Sequence, residues 1–332
     1  MLVAEINQKK RMIQQLDEEI FYYRHVNSEL TERVNGTQER MLMRQKDQRQ
    51  LLDNYNEHVR SRRATNDDVA SIHKKLLELK YNIKQLSAAL VRNNDYDPML
   101  TTQAISKFWV NLHDAIKRLG EPLPPHRIQM LIEKFLMDVL VQNMNYNAFT
   151  GLKISQPYTQ LQMWFERYDP SFCTRLRQEI AKVVVLHDVP GSDVAQEIQK
   201  LNKRMYTSLY TSLLKAFPSI EKNDQQLQQQ QQQKLDMNEN KQQQHQYSIM
   251  LRSMVEQASH IGYAMRGQEV EIAAAAVGEG TEIFDSKTMI DEDGQTSGII
   301  QFCICPPFIL YANRVELLEK ARVLCFTPVS SK

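Results

Sequence analysis

Along the first ninety residues, apolar side chains return at alternating intervals of four and three, which lines them up on one stripe of an α-helix. With heptad position a placed at residue 6 and every seventh residue to 90, ten of thirteen a positions are apolar, among them Ile6, Ile13, Ile20, Val34 and Met41. Position d, starting from Leu2, is apolar at eight of thirteen, including Leu16, Leu30 and Leu51. The frame never slips, and no proline occurs before Pro98. It predicts a coiled coil over residues 1–92, about 135 Å long if continuous at ~1.5 Å per residue. The dimer seam expected from it is Ile13, Leu16, Ile20, Leu30, Val34, Leu76, Leu79, Ile83 and Leu86. Met1 already lies within the heptad pattern, so the natural rod is expected to start further upstream.

Asn27 occupies an a position in this seam. Ile or Val at a with Leu at d suits a parallel two-stranded coil, where an Asn at a can hydrogen-bond to the same Asn of its partner. In other registers the amide is buried without a partner, at a cost of about 1–3 kcal/mol. Asn27 is therefore read as a register device for a parallel homodimer. Between residues 37 and 65 the seam softens, with Thr37, Arg44, Gln48, His58, Arg62 and Thr65 at its core positions. Thr65 or Asn66 could cap a fresh helix near Asp67, which leaves a continuous rod or a hairpin bent near 62–67. The unbroken register favours the rod.

"NNDYDPML" (93–100) ends the coil. The region 99–217 then reads as a helical domain. One helix is expected from Thr102 to Leu119, carrying Ile105, Phe108, Trp109, Leu112 and Ile116 and stopping at Gly120. A second follows in "HRIQMLIEKFLMDVLVQNM", and others open at Ser155–Pro157, Asp169–Pro170 and Ser192. Trp109 and Trp164, inside apolar helical patterns, are expected in the core. Residues 223–246 are glutamine-rich, too poor in apolar side chains to build a core, and read as a linker. Residues 247–332 read as a small α+β module: a helix stopped by Gly267, then strands in "EVEIAAAAV", "GIIQFCICPPFILY" and "KARVLCF", with Pro306 and Pro307 breaking the ladder. The expected fold is thus mainly α, with a long coiled coil, a helical middle domain and a small C-terminal α+β segment.

Composition adds constraints. Lys plus Arg number 41 against 40 Asp plus Glu, so total charge draws the chain to neither nucleic acid nor anionic membrane. Residues 247–332 carry 7 basic and 11 acidic side chains, which disfavours a nucleic-acid surface there. The stretch 40–63 holds seven Lys or Arg, but heptads lie upstream of it and Asp67 and Asp68 downstream, unlike a basic region feeding a zipper. The 4 cysteines are too few for a disulfide framework. Cys303 and Cys305, as C-x-C on a strand, would face one side, with Cys325 the one plausible third ligand; buried thiols are the expectation over zinc. His113, His126 and His187 have no spaced partner. "GEG" (278–280) lacks the third glycine and helix of a phosphate loop. No apolar run of membrane-spanning length occurs, and the N-terminus lacks a signal peptide's apolar core.

"EIFDSKTMIDEDG" and "FCICPPFILYANRVELLEKARVLC" resemble the C-terminal end of a set of uncharacterised fungal proteins, at Phe284, Asp285, Met289, Pro306, Lys320, Ala321 and Val323. "LTTQAISKFWVNLHDAIKRL" is similar to a helix that opens the middle region of the same set, often behind a coiled coil. The resemblance implies no activity. The expectation is a non-enzymatic coiled-coil scaffold or protein-interaction protein, homodimeric through its coil, in cytoplasm or nucleus. No catalytic, cofactor or metal residue and no small-molecule ligand is indicated. The alternative is a nucleic-acid-associated regulatory protein using the basic 40–63 stretch.

Overall fold

The computed structural model describes residues 2–92, 96–145, 149, 151–220, 247–312 and 314–326. The chain is mainly helical, with a small β portion towards its C-terminal end. It divides into two units, residues 1–61 and 62–332. The expected glutamine-rich linker at 223–246 lies outside the described residues.

The first unit is one helix. Helix α1 runs from Leu2 to Arg62, 61 residues with none buried. It passes Gly36 unbroken, so its heptad stripe stays continuous over the whole length. At ~1.5 Å per residue it is about 90 Å long.

The expected continuous rod over 1–92 does not form, because α1 stops at Arg62 and six residues separate it from α2 (Val69–Arg92). The cap of α2 is Asp68 rather than Thr65 or Asn66. Its carboxylate accepts the Ser71 N–H at 2.7 Å, while its own N–H donates to the Ser71 hydroxyl at 2.8 Å. This reciprocal pair satisfies two donors at the helix start.

Helix α2 then enters the core. Leu76, Leu79, Ile83 and Leu86, expected in the dimer seam, are buried among α2, α5 (Pro125–Asn145) and α9 (Tyr247–Arg266). An apolar stripe specifies a helical neighbour without specifying whose helix it is. Here the same chain provides it. Helix α5 is buried on every side from Met130 to Met137, as a helix surrounded by others must be.

Around these three lie α3 (Pro98–Ile105), α4 (His113–Arg118), α6 (Ser155–Tyr168), α7 (Pro170–His187) and α8 (Asp193–Ala216). Asp169 caps α7 through the Phe172 N–H and Ser192 caps α8 through the Ala195 N–H, both as expected. The single helix expected over Thr102–Leu119 is instead split into α3 and α4. The turn between them lets Phe108 stack on Phe135 at 4.3 Å and Trp109 meet the same ring edge-on at 6.2 Å. Gly120 follows α4 with φ +131°, a left-handed conformation that favours glycine.

Among the described residues six short strands form two three-stranded sheets. β1 (Glu271–Ala274), β4 (Phe308–Tyr311) and β5 (Val315–Glu319) pair antiparallel in the order β1-β4-β5. In the other sheet β6 (Ala321–Phe326) lies between β2 (Met289–Asp291), parallel to it, and β3 (Ile299–Cys305), antiparallel. Pro306 and Pro307 mark the crossing from one sheet to the other. The C-x-C reading is overturned here: the β3–β6 register shifts between Cys303 and Cys305. That irregularity turns the two thiols apart, Cys303 to a small cluster with Ile300 and Cys325, and Cys305 to the main core. Of the seven residues that carry the fungal resemblance, Met289, Ala321 and Val323 lie in this second sheet. Met289 pairs with Ala321 in the register, and Lys320 reaches the Ser286 carbonyl at 2.8 Å.

Regions 99–217 and 247–332, whose sharing of a core the sequence left open, share one core with α2. Ile105, Leu213, Leu251, Phe302 and Phe308 all belong to it.

Candidate functional site

On α1, Ile13, Leu16, Ile20, Leu30 and Val34 share a face and are 47–59 % exposed. Asn27 lies exposed on the same face. Near Thr37 the face carries a shallow depression of about 300 Å³, lined by Leu30, Val34, Thr37 and Met41 and walled by Arg33 and Gln38. Those six occupy d, a, d, a, g and e, the positions that frame a hole for a partner's side chain in a coiled coil. A helix of this length, with no tertiary packing of its own, leaves its apolar stripe in water at a cost that packing normally removes. The face is apolar and exposed along the helix.

A second uncovered surface lies on α6 and the start of α7. Of the residues of α6 only Tyr158 is buried. Trp164, expected in the core, is instead 54 % exposed. It packs on Phe165 at 5.0 Å and Tyr168 at 4.8 Å, and Phe165 meets Phe172 at 4.5 Å. Arg167 and Arg175 lie over the rings of Tyr168 and Phe172. Exposed Trp, Tyr and Arg together are the residue types that concentrate binding energy in protein interfaces. The signal was present in the spacing of Leu161, Trp164, Phe165 and Tyr168. Periodicity finds such a stripe but cannot say whether the chain covers it.

The segment between α1 and α2 is clamped to the end of α9. Arg63 donates to both carboxylate oxygens of Glu269 at 2.7 and 3.0 Å. The Gln268 side chain donates to the Asp67 carbonyl at 2.9 Å, and Lys75 pairs with Asp67 at 2.8 Å. Ala64 packs so tightly on Gly267 that a Cβ there would fall 2.5 Å from the Ala64 methyl. The carbonyls at this helix end are taken by Arg177, which donates to Arg266 at 2.9 Å and Gln268 at 3.2 Å, satisfying groups that a helix terminus leaves open. One arginine of the basic 40–63 stretch is thereby engaged inside the fold.

The buried polar side chains join helix α5 to the strands and loops packed on it. Lys134, 4 % exposed, donates to Glu279 at 2.7 Å, Asp138 at 3.1 Å and the Cys303 carbonyl at 3.1 Å. Burial works against its charge, but the two carboxylates outweigh burial and raise its pKa. Burial raises the pKa of Asp138, which shares this one ammonium with Glu279 and also accepts the Trp109 indole N–H at 3.0 Å. Alongside, Glu133 pairs with Arg322, whose Nε lies 3.0 Å from Glu292. These contacts tie α5 to the sheets.

All four thiols are buried. Burial raises the pKa of Cys173 and Cys303, and pushes Cys305 up to about 11 and Cys325 up to about 12, the opposite of what a nucleophile requires. His113, His126 and His187 stand apart and exposed on three different elements. Among the described residues no group of three His, Cys, Asp or Glu is placed to hold a metal ion, and no helix is long and apolar enough to cross a membrane.

No family model matches the sequence, and no curated protein and no solved structure is similar enough to match it.

Proposed function

We propose that this is a non-enzymatic interaction protein that joins proteins together, self-associating through α1 and presenting its folded second unit to partners in the cytoplasm or nucleus. The observation that carries this reading is α1 itself: 61 helical residues, none buried, with an apolar heptad stripe along one face. Such a stripe is a liability in a lone helix and a seam in a paired one. The aromatic and arginine-flanked face of α6 supports the same reading, since it is a further apolar surface left exposed among the described residues.

Proximity labelling in the native cell tests it, comparing the full chain with a form lacking residues 1–61 and with a Trp164→Ala/Tyr168→Ala form. A scaffold has a defined set of neighbours that one or both changes remove. A labelled set no different from that of a freely diffusing control overturns the proposal.

A further inference from the structure

The heptad stripe is continuous along α1, but its quality is not. Through Met43 its a and d positions hold Leu2, Ile6, Ile13, Leu16, Ile20, Tyr23, Leu30, Val34 and Met41, interrupted by Lys9, Asn27 and Thr37. From Arg44 onward the same face presents Arg44, Gln48, His58 and Arg62, with Leu51 and Tyr55 alone between them. Desolvating that second set brings charges together with their like on a partner helix and returns little apolar burial. A seam that forms on α1 therefore belongs to its first six heptads.

Within those heptads the flanking positions tell which partner fits. In a parallel in-register pair, each g residue faces the e residue five positions later on the other helix. The facing pairs are Glu5 with Lys10, Met12 with Asp17, Glu19 with Arg24, Val26 with Thr31, and Arg33 with Gln38. Two are opposite in charge and none is like-charged. Each counts twice, because the arrangement is symmetric. The a positions are β-branched at Ile6, Ile13, Ile20 and Val34 and the d positions are Leu at 2, 16 and 30, the distribution that favours two parallel strands. Asn27 meets its own copy only in this register. An antiparallel pair packs a against d, which sets the Asn27 amide against a side chain that cannot return its hydrogen bonds.

We infer that α1 pairs with α1 of a second copy of this chain, parallel and in register at Asn27, over residues 2–43, with the stretch from Arg44 to Arg62 outside the seam. This rests on the reading of α1 as a self-association seam and adds partner, direction, register and length to it. Glu19 and Arg24 then form an ion pair between chains. Glu5 is the less telling member of the set, since it also lies 3.9 Å from Lys9 of its own helix.

The test is sedimentation equilibrium on the full chain in low salt, for wild type, Glu19→Arg, Arg24→Glu and the double exchange. Each single exchange places like charges across the seam twice and weakens the dimer roughly three- to tenfold. The double exchange rebuilds both pairs with signs reversed and restores the wild-type dissociation constant to within about twofold. Helical content by circular dichroism accompanies each variant, so that a loss of α1 is recognised as such. A dimeric wild type whose double variant is no tighter than the weaker single variant overturns the parallel register while leaving self-association standing. A wild type that stays monomeric at tens of micromolar removes the seam itself, and the inference with it.

Discussion

Asn27 and Trp164 carry the two residue-scale lessons. Asn27 is one polar position on a stripe of Ile, Leu and Val, and its amide is well placed only where an identical amide opposes it. Replacing it by leucine removes that constraint and adds apolar burial. Asn27→Leu is therefore expected to raise the stability of the self-associated form by about 1–2 kcal/mol while admitting higher oligomers, read as a raised melting temperature and a broadened mass distribution. An unchanged dimer of unchanged stability would remove Asn27 from any register role. Trp164 shows the opposite limit of local reading. Its spacing with Leu161 and Tyr168 identifies an amphipathic face, yet a tryptophan on such a face is equally at home in a core or at a binding surface. Only its exposure among the described residues, which distant parts of the chain decide, separates the two.

At the scale of elements, α1 and α2 share one uninterrupted heptad frame and have different neighbours. Up to Arg62 the helix has no packing from its own unit; from Val69 onward the stripe of Ile72, Leu76, Leu79 and Ile83 is enclosed by α5 and α9. The frame made both helices legible, together with the caps at Asp169 and Ser192 and the stop at Gly120. It could not show that Arg63 would be held by Glu269 and the Asp67 carbonyl by Gln268, because those partners lie 206 and 201 residues away. The same limit hid β2 and β5, too short to show a period, and the irregularity that parts Cys303 from Cys305. A core substitution distinguishes the two helices. Leu79→Ala is expected to cost about 2–5 kcal/mol of folding stability and leave the mass in solution unchanged. Ile20→Ala in α1 should change the mass and leave the melting of the second unit unaltered. A loss of self-association on Leu79→Ala without a loss of folding stability would return α2 to the seam.

For the molecule as a whole, the second unit has one main core and two smaller clusters, tied by ion pairs between elements distant in sequence. Burial raises the pKa of the Glu319 carboxyl, but Lys80 and His73 outweigh it and hold the group below its ordinary 4.5. The Glu269 and Asp67 carboxyls are lowered in the same way by Arg63 and by Lys75 and Thr65, against burial. A carboxyl with a lowered folded pKa binds fewer protons folded than unfolded just below its ordinary value. Its contribution is complete above that value and is lost as pH falls through the folded pKa. Asp138, raised by burial, runs the other way and offsets part of this loss. The melting temperature of the second unit is thus expected to be flat from pH 6 to 8 and to fall below about pH 4.5. An acid-side rise would mean that the buried Asp138 outweighs the three lowered groups.

Self-association through α1 is the claim on which the rest depends. The most direct measurement is the solution mass of the full chain by light scattering at tens of micromolar, beside a variant with Ile13, Leu16, Ile20 and Leu30 all replaced by glutamine. A seam on α1 gives twice the 38.8 kDa of one chain for the wild type and a single chain's mass for the variant, with the melting of the second unit the same in both. A wild type at the mass of one chain, or a variant that stays double, contradicts it.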